Sequence, residues 1–156
     1  MEKGDKMKRA RRGFTIIELM IVIAVIAILV GLTLPRFLGM QQEGNIAKAK
    51  GELRTLQTAV QSYYIHHSNT YPATLGALTT AVPAIISAAV PTDPFNGTNT
   101  YGYATDGATP VQYFVIYSVG PGGNGSAAVS AAGTVTETNG ASCIYATNGS
   151  PTDTAP

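Results

Sequence analysis

The chain has 156 residues and a formal charge of +1, and its charged fraction of 12% is about half the usual quarter of a soluble protein. That length holds one domain and an appendage, not two large domains. Six of the ten Lys and Arg residues lie within residues 1–12, which leaves four basic against seven acidic residues from Gly13 onward, a net of −3. No basic groove with interleaved aromatics appears farther on, so no nucleic-acid partner is expected. The single cysteine, Cys143, excludes an intrachain disulfide.

A basic leader, residues 1–13, opens the chain; it starts at Met1 or, if shorter, at Met7. Phe14–Leu34 follows, 21 residues with one charge, Glu18. About 20 apolar residues cross the hydrocarbon core as a helix. Lys and Arg crowd its N-terminal side and only Arg36 follows closely. The positive-inside rule therefore puts the N-terminus in the cytoplasm and the rest of the chain outside. A secretory signal peptide ends its apolar run in a small-residue cleavage site. Here the small residue, Gly13, precedes the run. That order suits a peptidase that cuts on the cytoplasmic side and leaves the apolar helix on the product.

Glu18 needs a reason, because a carboxylate at membrane depth costs roughly 2.5–3.5 kcal/mol on insertion scales. Cleavage between Gly13 and Phe14 would make Phe14 the new N-terminus, with a positive amine. Glu18 lies four residues on, about one helical turn. It can neutralise its own amine or that of a neighbouring copy, and in the second case it marks the register of an assembly. Pro35 lacks the N–H that would bond Gly31, so a helix kink is expected there. Gly31, Gly39 and Gly44 flank it, and each weakens the helix by roughly 1 kcal/mol relative to Ala.

From Asn45 the pattern changes. Ile46, Ala49, Leu53, Leu56, Val60 and Tyr63 recur at spacings of three and four, an amphipathic helix within residues 36–70. Lys48 and Glu52 are placed to pair on it. Tyr71-Pro72 is expected to close the helix. His66 and His67 have no His, Cys, Asp or Glu three or four residues away, and they read as a solvated helix end rather than a metal site. Residues 73–90 read as one short helix or two turns broken by Pro83. Beyond them Asp93-Pro94, Asn96-Gly97, Asp106-Gly107, Asn124-Gly125, Asn139-Gly140 and Asn148-Gly149 punctuate the chain. Strands are expected at Tyr101–Thr105, Gln112–Val119, Gly133–Thr138 and Ser142–Thr147. The tail, residues 150–156, is expected to be mobile. The fold class is α+β: a long helix, transmembrane over residues 14–35 and amphipathic over 36–70, packed on a small antiparallel meander within a globular domain of residues 71–149. GPGGNG at 120–125 follows a strand but precedes no helix, so it is not a nucleotide loop. With no nucleophile–base pair either, no catalytic residue and no enzyme activity is expected.

GFTxxE at 13–18 and the apolar run to Pro35 resemble the N-terminal region of type IV pilins and type II secretion pseudopilins, and YYIHHSNTYP resembles the segment that ends this helix in pseudopilins. TDPFNG, TYGY and YFVIYSVGPGG resemble the corresponding run of the major pseudopilin, and the single cysteine departs from the C-terminal disulfide usual in pilins. The resemblance implies cleavage after Gly13 and N-methylation of Phe14 by a prepilin peptidase. It implies a filament-assembly role for Glu18, a kink at Pro35, and self-association into a helical filament. The implied partners are an inner-membrane assembly platform with its ATPase, and minor pseudopilins. The implied location is the bacterial inner membrane, single-pass, with a periplasmic C-terminal domain. The implied function is a subunit of the type II secretion pseudopilus, with a surface type IV pilin as the alternative. A membrane-anchored module that never polymerises is the reading Glu18 argues against. The resemblance also implies calcium in the loop after Val119. That loop has no acidic residue between Gly107 and Glu137, whereas calcium takes six to eight oxygens, several usually from carboxylates; no metal or other cofactor is expected.

Overall fold

The computed structural model describes residues 13–86, 89–138 and 143–151. The leader through Arg12, the Asn139-Gly140 turn, Ser142 and the tail beyond Pro151, with Asp153, lie outside the described residues. The chain divides into two compact units, Met1–Met40 and Gln41–Pro156.

Helix α1 covers Ile16–His66 and includes position 35. Its apolar first half is exposed on every side, whereas Ala49, Leu53, Leu56, Ala59 and Val60 of its second half are buried. The Lys48–Glu52 pair forms, at 3.9 Å. The helix ends before the expected Tyr71-Pro72. Ser68 and Asn69 adopt positive φ, 52° and 56°, and the Asn69 N–H reaches back to the Tyr64 carbonyl at 3.1 Å. This is a Schellman-type stop with serine in the position glycine usually takes. Among the described residues of 73–90 there is one short helix, α2, at Ala77–Thr80, which buries Leu78.

The β region is two three-stranded sheets rather than a single meander. The first has the order β1 (Gly102–Thr105), β2 (Phe114–Ser118), β5 (Ile144–Thr147), with β2 antiparallel to both neighbours. The second has the order β3 (Ser126–Val129), β4 (Thr134–Thr138), β6 (Ser150–Pro151). In it β3–β4 is antiparallel and β4–β6 parallel. Strand β3 is absent from the sequence reading because SAAV carries two alanines and little β-branched signal. Its Ala127 and Val129 nevertheless alternate inward. The first two residues assigned to the tail pair with β4 instead of ending loose.

Strand β2 is the centre of the unit. Phe114 and Ile116 pack with Leu53, Leu56 and Val60 of α1 in one cluster. Val115, on the opposite face, packs with Ala127, Val129 and Val135 of the second sheet. Burial on both faces explains the unbroken apolar run FVI in a strand. Asparagine and aspartate side chains close the connections. Asp106 accepts from the N–H groups of Ala108, Gln112 and Tyr113. Asn148 accepts from the Phe114 N–H at 2.8 Å and donates to the Gln112 carbonyl at 2.9 Å.

Candidate functional site

Gly13, Phe14 and Thr15 precede the helix and Glu18 lies in its first turn. The Thr15 hydroxyl oxygen accepts the Glu18 N–H at 3.3 Å, and the Thr15 carbonyl accepts the Leu19 N–H at 3.2 Å. Thr15 is therefore the N-cap and Glu18 occupies N3, the T-x-x-E spacing of a capping box. Phe14 and Leu19 hold the N′ and N4 positions, where a hydrophobic staple forms. The sequence reading took Thr15 only as a letter of the GFTxxE motif; the capping-box spacing was the signal for its role as N-cap. Among the described residues no hydrogen bond or ion pair engages the Glu18 carboxylate. The positive end of the helix dipole favours that carboxylate and disfavours a free amine at Phe14. Glu18 is thus the group placed to offset such an amine. Pro35 lies farther along the same helix and is not brought to this site.

Of twenty exposed large hydrophobic residues among those described, eighteen fall between Phe14 and Met40. Ile16 is 80% exposed and Leu29 57%. The helix is long and apolar enough to cross a membrane by length and composition. An apolar surface this continuous calls for lipid or other protein as its surroundings.

The turn after Val119 tests the implied calcium site. The Val119 carbonyl accepts the Gly125 N–H at 3.0 Å, and the Gly120 carbonyl accepts the Gly123 N–H at 2.9 Å. A side chain at Gly125 would meet the Val119 carbonyl oxygen at 2.7 Å, so the turn closes tightly on its own backbone. The nearest carboxylate, Asp93, is buried. Its Oδ1 accepts from Ser118 Oγ at 2.8 Å and from the Phe95 N–H at 3.0 Å. Its Oδ2 accepts from the Val119 N–H at 2.9 Å, and Ser118 Oγ in turn accepts the Gly120 N–H at 3.1 Å. Both oxygens of Asp93 are engaged by backbone and hydroxyl donors, one of them the Val119 N–H at the start of the turn. This donor set does not fit an ion that requires six to eight oxygens. Among the described residues no three of His, Cys, Asp and Glu are grouped to hold a metal. The sequence reading saw Asp93-Pro94 only as a turn and missed this clamp.

Other titratable groups are embedded in the packing. The Tyr101 hydroxyl donates to Glu52 Oε2 at 2.6 Å. Burial, and then that carboxylate, push Tyr101 above the ordinary phenol range. Burial, followed by the charges of Glu137 and Asp93, pushes the Cys143 thiol up to about 11, so the thiol stays protonated and weakly nucleophilic near neutral pH. His67 stacks on Tyr63 with ring centroids 3.9 Å apart, and His66 Nδ1 sits 2.8 Å from the Ser62 carbonyl.

Comparison with known proteins follows this division of the chain. Residues 8–34 match the prokaryotic N-terminal methylation motif, and residues 36–135 match the model of type II secretion system protein G. The core protein G of Dickeya chrysanthemi is 35% identical over 75 residues, 46% of this chain and 48% of that protein. Its counterpart in Escherichia coli K12 is 34% identical over 76 residues, 47% of this chain and 50% of that protein. The type IV major pilin of Myxococcus xanthus is 45% identical over 53 residues, 34% of this chain and 24% of that protein. The chain thus spans half or less of the length of these curated relatives. No solved structure matches it significantly. With a processing motif at the start of α1 and a protein G match over most of the remainder, the chain belongs to the family of type II secretion system protein G.

Proposed function

We propose that this chain is a structural subunit, not a catalyst, of the pseudopilus that moves exoproteins across the outer membrane. The observation that carries the reading is an exposed apolar helix headed by a carboxylate without a partner among the described residues, joined in sequence to a region that matches protein G. Such a helix is complete only among other helices or in lipid, and Glu18 gives copies a reason to align there. In this reading a prepilin peptidase cuts after Gly13 and methylates Phe14. The chain then waits in the inner membrane, N-terminus in the cytoplasm and β region in the periplasm, until an ATPase-driven platform polymerises it with minor pseudopilins. Pro35, flanked by Gly31, Gly39 and Gly44, is where this reading expects the helix to bend. The domain holds its shape without calcium, the Asp93 clamp serving where an ion would otherwise tie the turn.

A surface pilin is the second reading, supported by the 45% identity to a major pilin. Deletion and complementation separate the two. The pseudopilin reading expects folded exoproteins to accumulate in the periplasm of the deletion strain, with motility unchanged. Normal secretion together with lost surface fibres would promote the pilin reading.

A further inference from the structure

The second half of α1 presents three charges, Glu43, Lys50 and Arg54, that no ion pair among the described residues neutralises. Five acids and bases lie along it: Lys48 is paired with Glu52, whereas Glu43, Lys50 and Arg54 are exposed. Among the described residues none of these three has an ion pair or a hydrogen bond from its side chain. Their spacing is not arbitrary. Lys50 and Arg54 are four apart, on one face, and Glu43 stands two turns before Lys50 and three before Arg54. The buried stripe of Ala49, Leu53, Leu56 and Val60 is directed elsewhere. Glu43 cannot reach Lys50 along its own helix, because two turns separate them by about 10.5 Å. Lys50 and Arg54 also rim a hollow of about 260 Å³ completed by Leu53, Ile144, Tyr145 and Ala146. Strand β5 is the outer strand of its sheet on that side, and no acidic side chain lines the hollow.

We propose that this hollow receives Glu43 of a second copy of the same chain, displaced along the helix axis by about two turns. The proposal rests on the reading of the chain as a filament subunit. A parallel copy shifted by seven residues, and turned about its own axis so that its Glu43 side faces this one, brings its Glu43 level with Lys50; parallel helices pack about 8–10 Å apart, a gap that glutamate and lysine or arginine span together. The glycines on the exposed side of this stretch, Gly44 and Gly51, have nothing within 4 Å of an added Cβ, so a neighbour meets no bulk there. The contact is heterologous: acid on one copy, base on the next. A heterologous contact that does not close a ring repeats as an open helical polymer. It also gives the partner as another copy rather than a lipid headgroup, because Lys50 lies 10 residues beyond Met40, the last exposed apolar residue of the first stretch, about 15 Å of helix farther on.

Charge reversal in the full-length chain tests this, in cells that assemble and shed the filament. Glu43→Lys, and separately Lys50→Glu with Arg54→Glu, are expected to lower the yield of sheared filament at least tenfold while membrane levels of the subunit stay normal. The triple reversal is expected to restore most of the yield. Normal filaments from Glu43→Lys, or a triple variant no better than its parents, would overturn the pairing and leave the pseudopilin reading intact. Normal filaments from Lys50→Glu with Arg54→Glu but lost secretion would overturn it too, by giving the hollow to an exported protein. Absence of filaments from the wild-type chain would instead remove the subunit reading on which the pairing rests.

Discussion

Ile16–Met40 and Gln41–His66 belong to one helix and have opposite relations to water. Leu29 in the first stretch is 57% exposed and Leu56 in the second is 1% exposed. The first stretch is apolar around its whole circumference, and no neighbour within the chain can cover all of that. The second keeps its apolar residues at three- and four-residue spacing, and β2 with α2 covers them. One helix can therefore serve two environments, with the angular spread of its apolar residues deciding which. A stripe is satisfied by folding; a fully apolar cylinder is satisfied only by lipid or by other copies.

Substitution at matched residues is the strongest way to break this comparison. Leu56→Ala is expected to destabilise the domain by about 2–5 kcal/mol, the usual cost of a cavity in a core. Leu29→Ala should leave the unfolding midpoint of the detergent-purified chain unchanged. Equal losses from both would mean that the first stretch is also part of the folded core.

The next effect concerns the clamp. Asp93→Ala removes the acceptor for Ser118 Oγ and for the N–H groups of Phe95 and Val119. The orphaned donors should cost roughly 1–3 kcal/mol, seen as a melting temperature several degrees lower. An unchanged melting temperature would show that the turn after Val119 is held by its own backbone bonds alone.

A smaller effect is alkaline loss of stability. The folded Cys143 thiol titrates at about 11, above its ordinary value. Its contribution is therefore complete below the unfolded value and disappears as pH rises through about 11. Tyr101, also raised, acts in the same direction. Denaturant midpoints at pH 8 and pH 11 should differ, and Cys143→Ser should narrow the difference without abolishing it. The smallest expected effect is that of calcium. A bound ion at a hundred times its dissociation constant would add about 2.7 kcal/mol. Melting in calcium and in chelator should coincide; a shift of several degrees would mean that backbone carbonyls rebuild a site around the turn.

Much of this was legible in the sequence because it depends on period and charge alone. The apolar cylinder, the stripe from Ala49 to Val60, the Lys48–Glu52 pair and strand β2 are local patterns. What escaped depends on partners distant in sequence. Strand β3 is two alanines whose only reason to be a strand is the register with β4, and β6 is drawn from the tail by the same sheet. The helix stops at His66 because Ser68 and Asn69 take left-handed turns, which asparagine favours but serine does not announce. Asp93 looked like a turn residue because the donors that make it a clamp lie 25 and 26 residues away. At the helix start the missing signal was local: Thr15 and Glu18 spell a cap as well as a processing motif.

The claim that joins these observations is that the apolar half of α1 finds its partners in other copies, with Glu18 setting their alignment. Filaments sheared from cells expressing Glu18→Ala measure it directly, with the subunit in the membrane fraction quantified alongside. The account predicts wild-type amounts of subunit in the membrane and no filament. Filament at wild-type yield from Glu18→Ala would contradict it and reduce Glu18 to a stray charge on an ordinary membrane anchor.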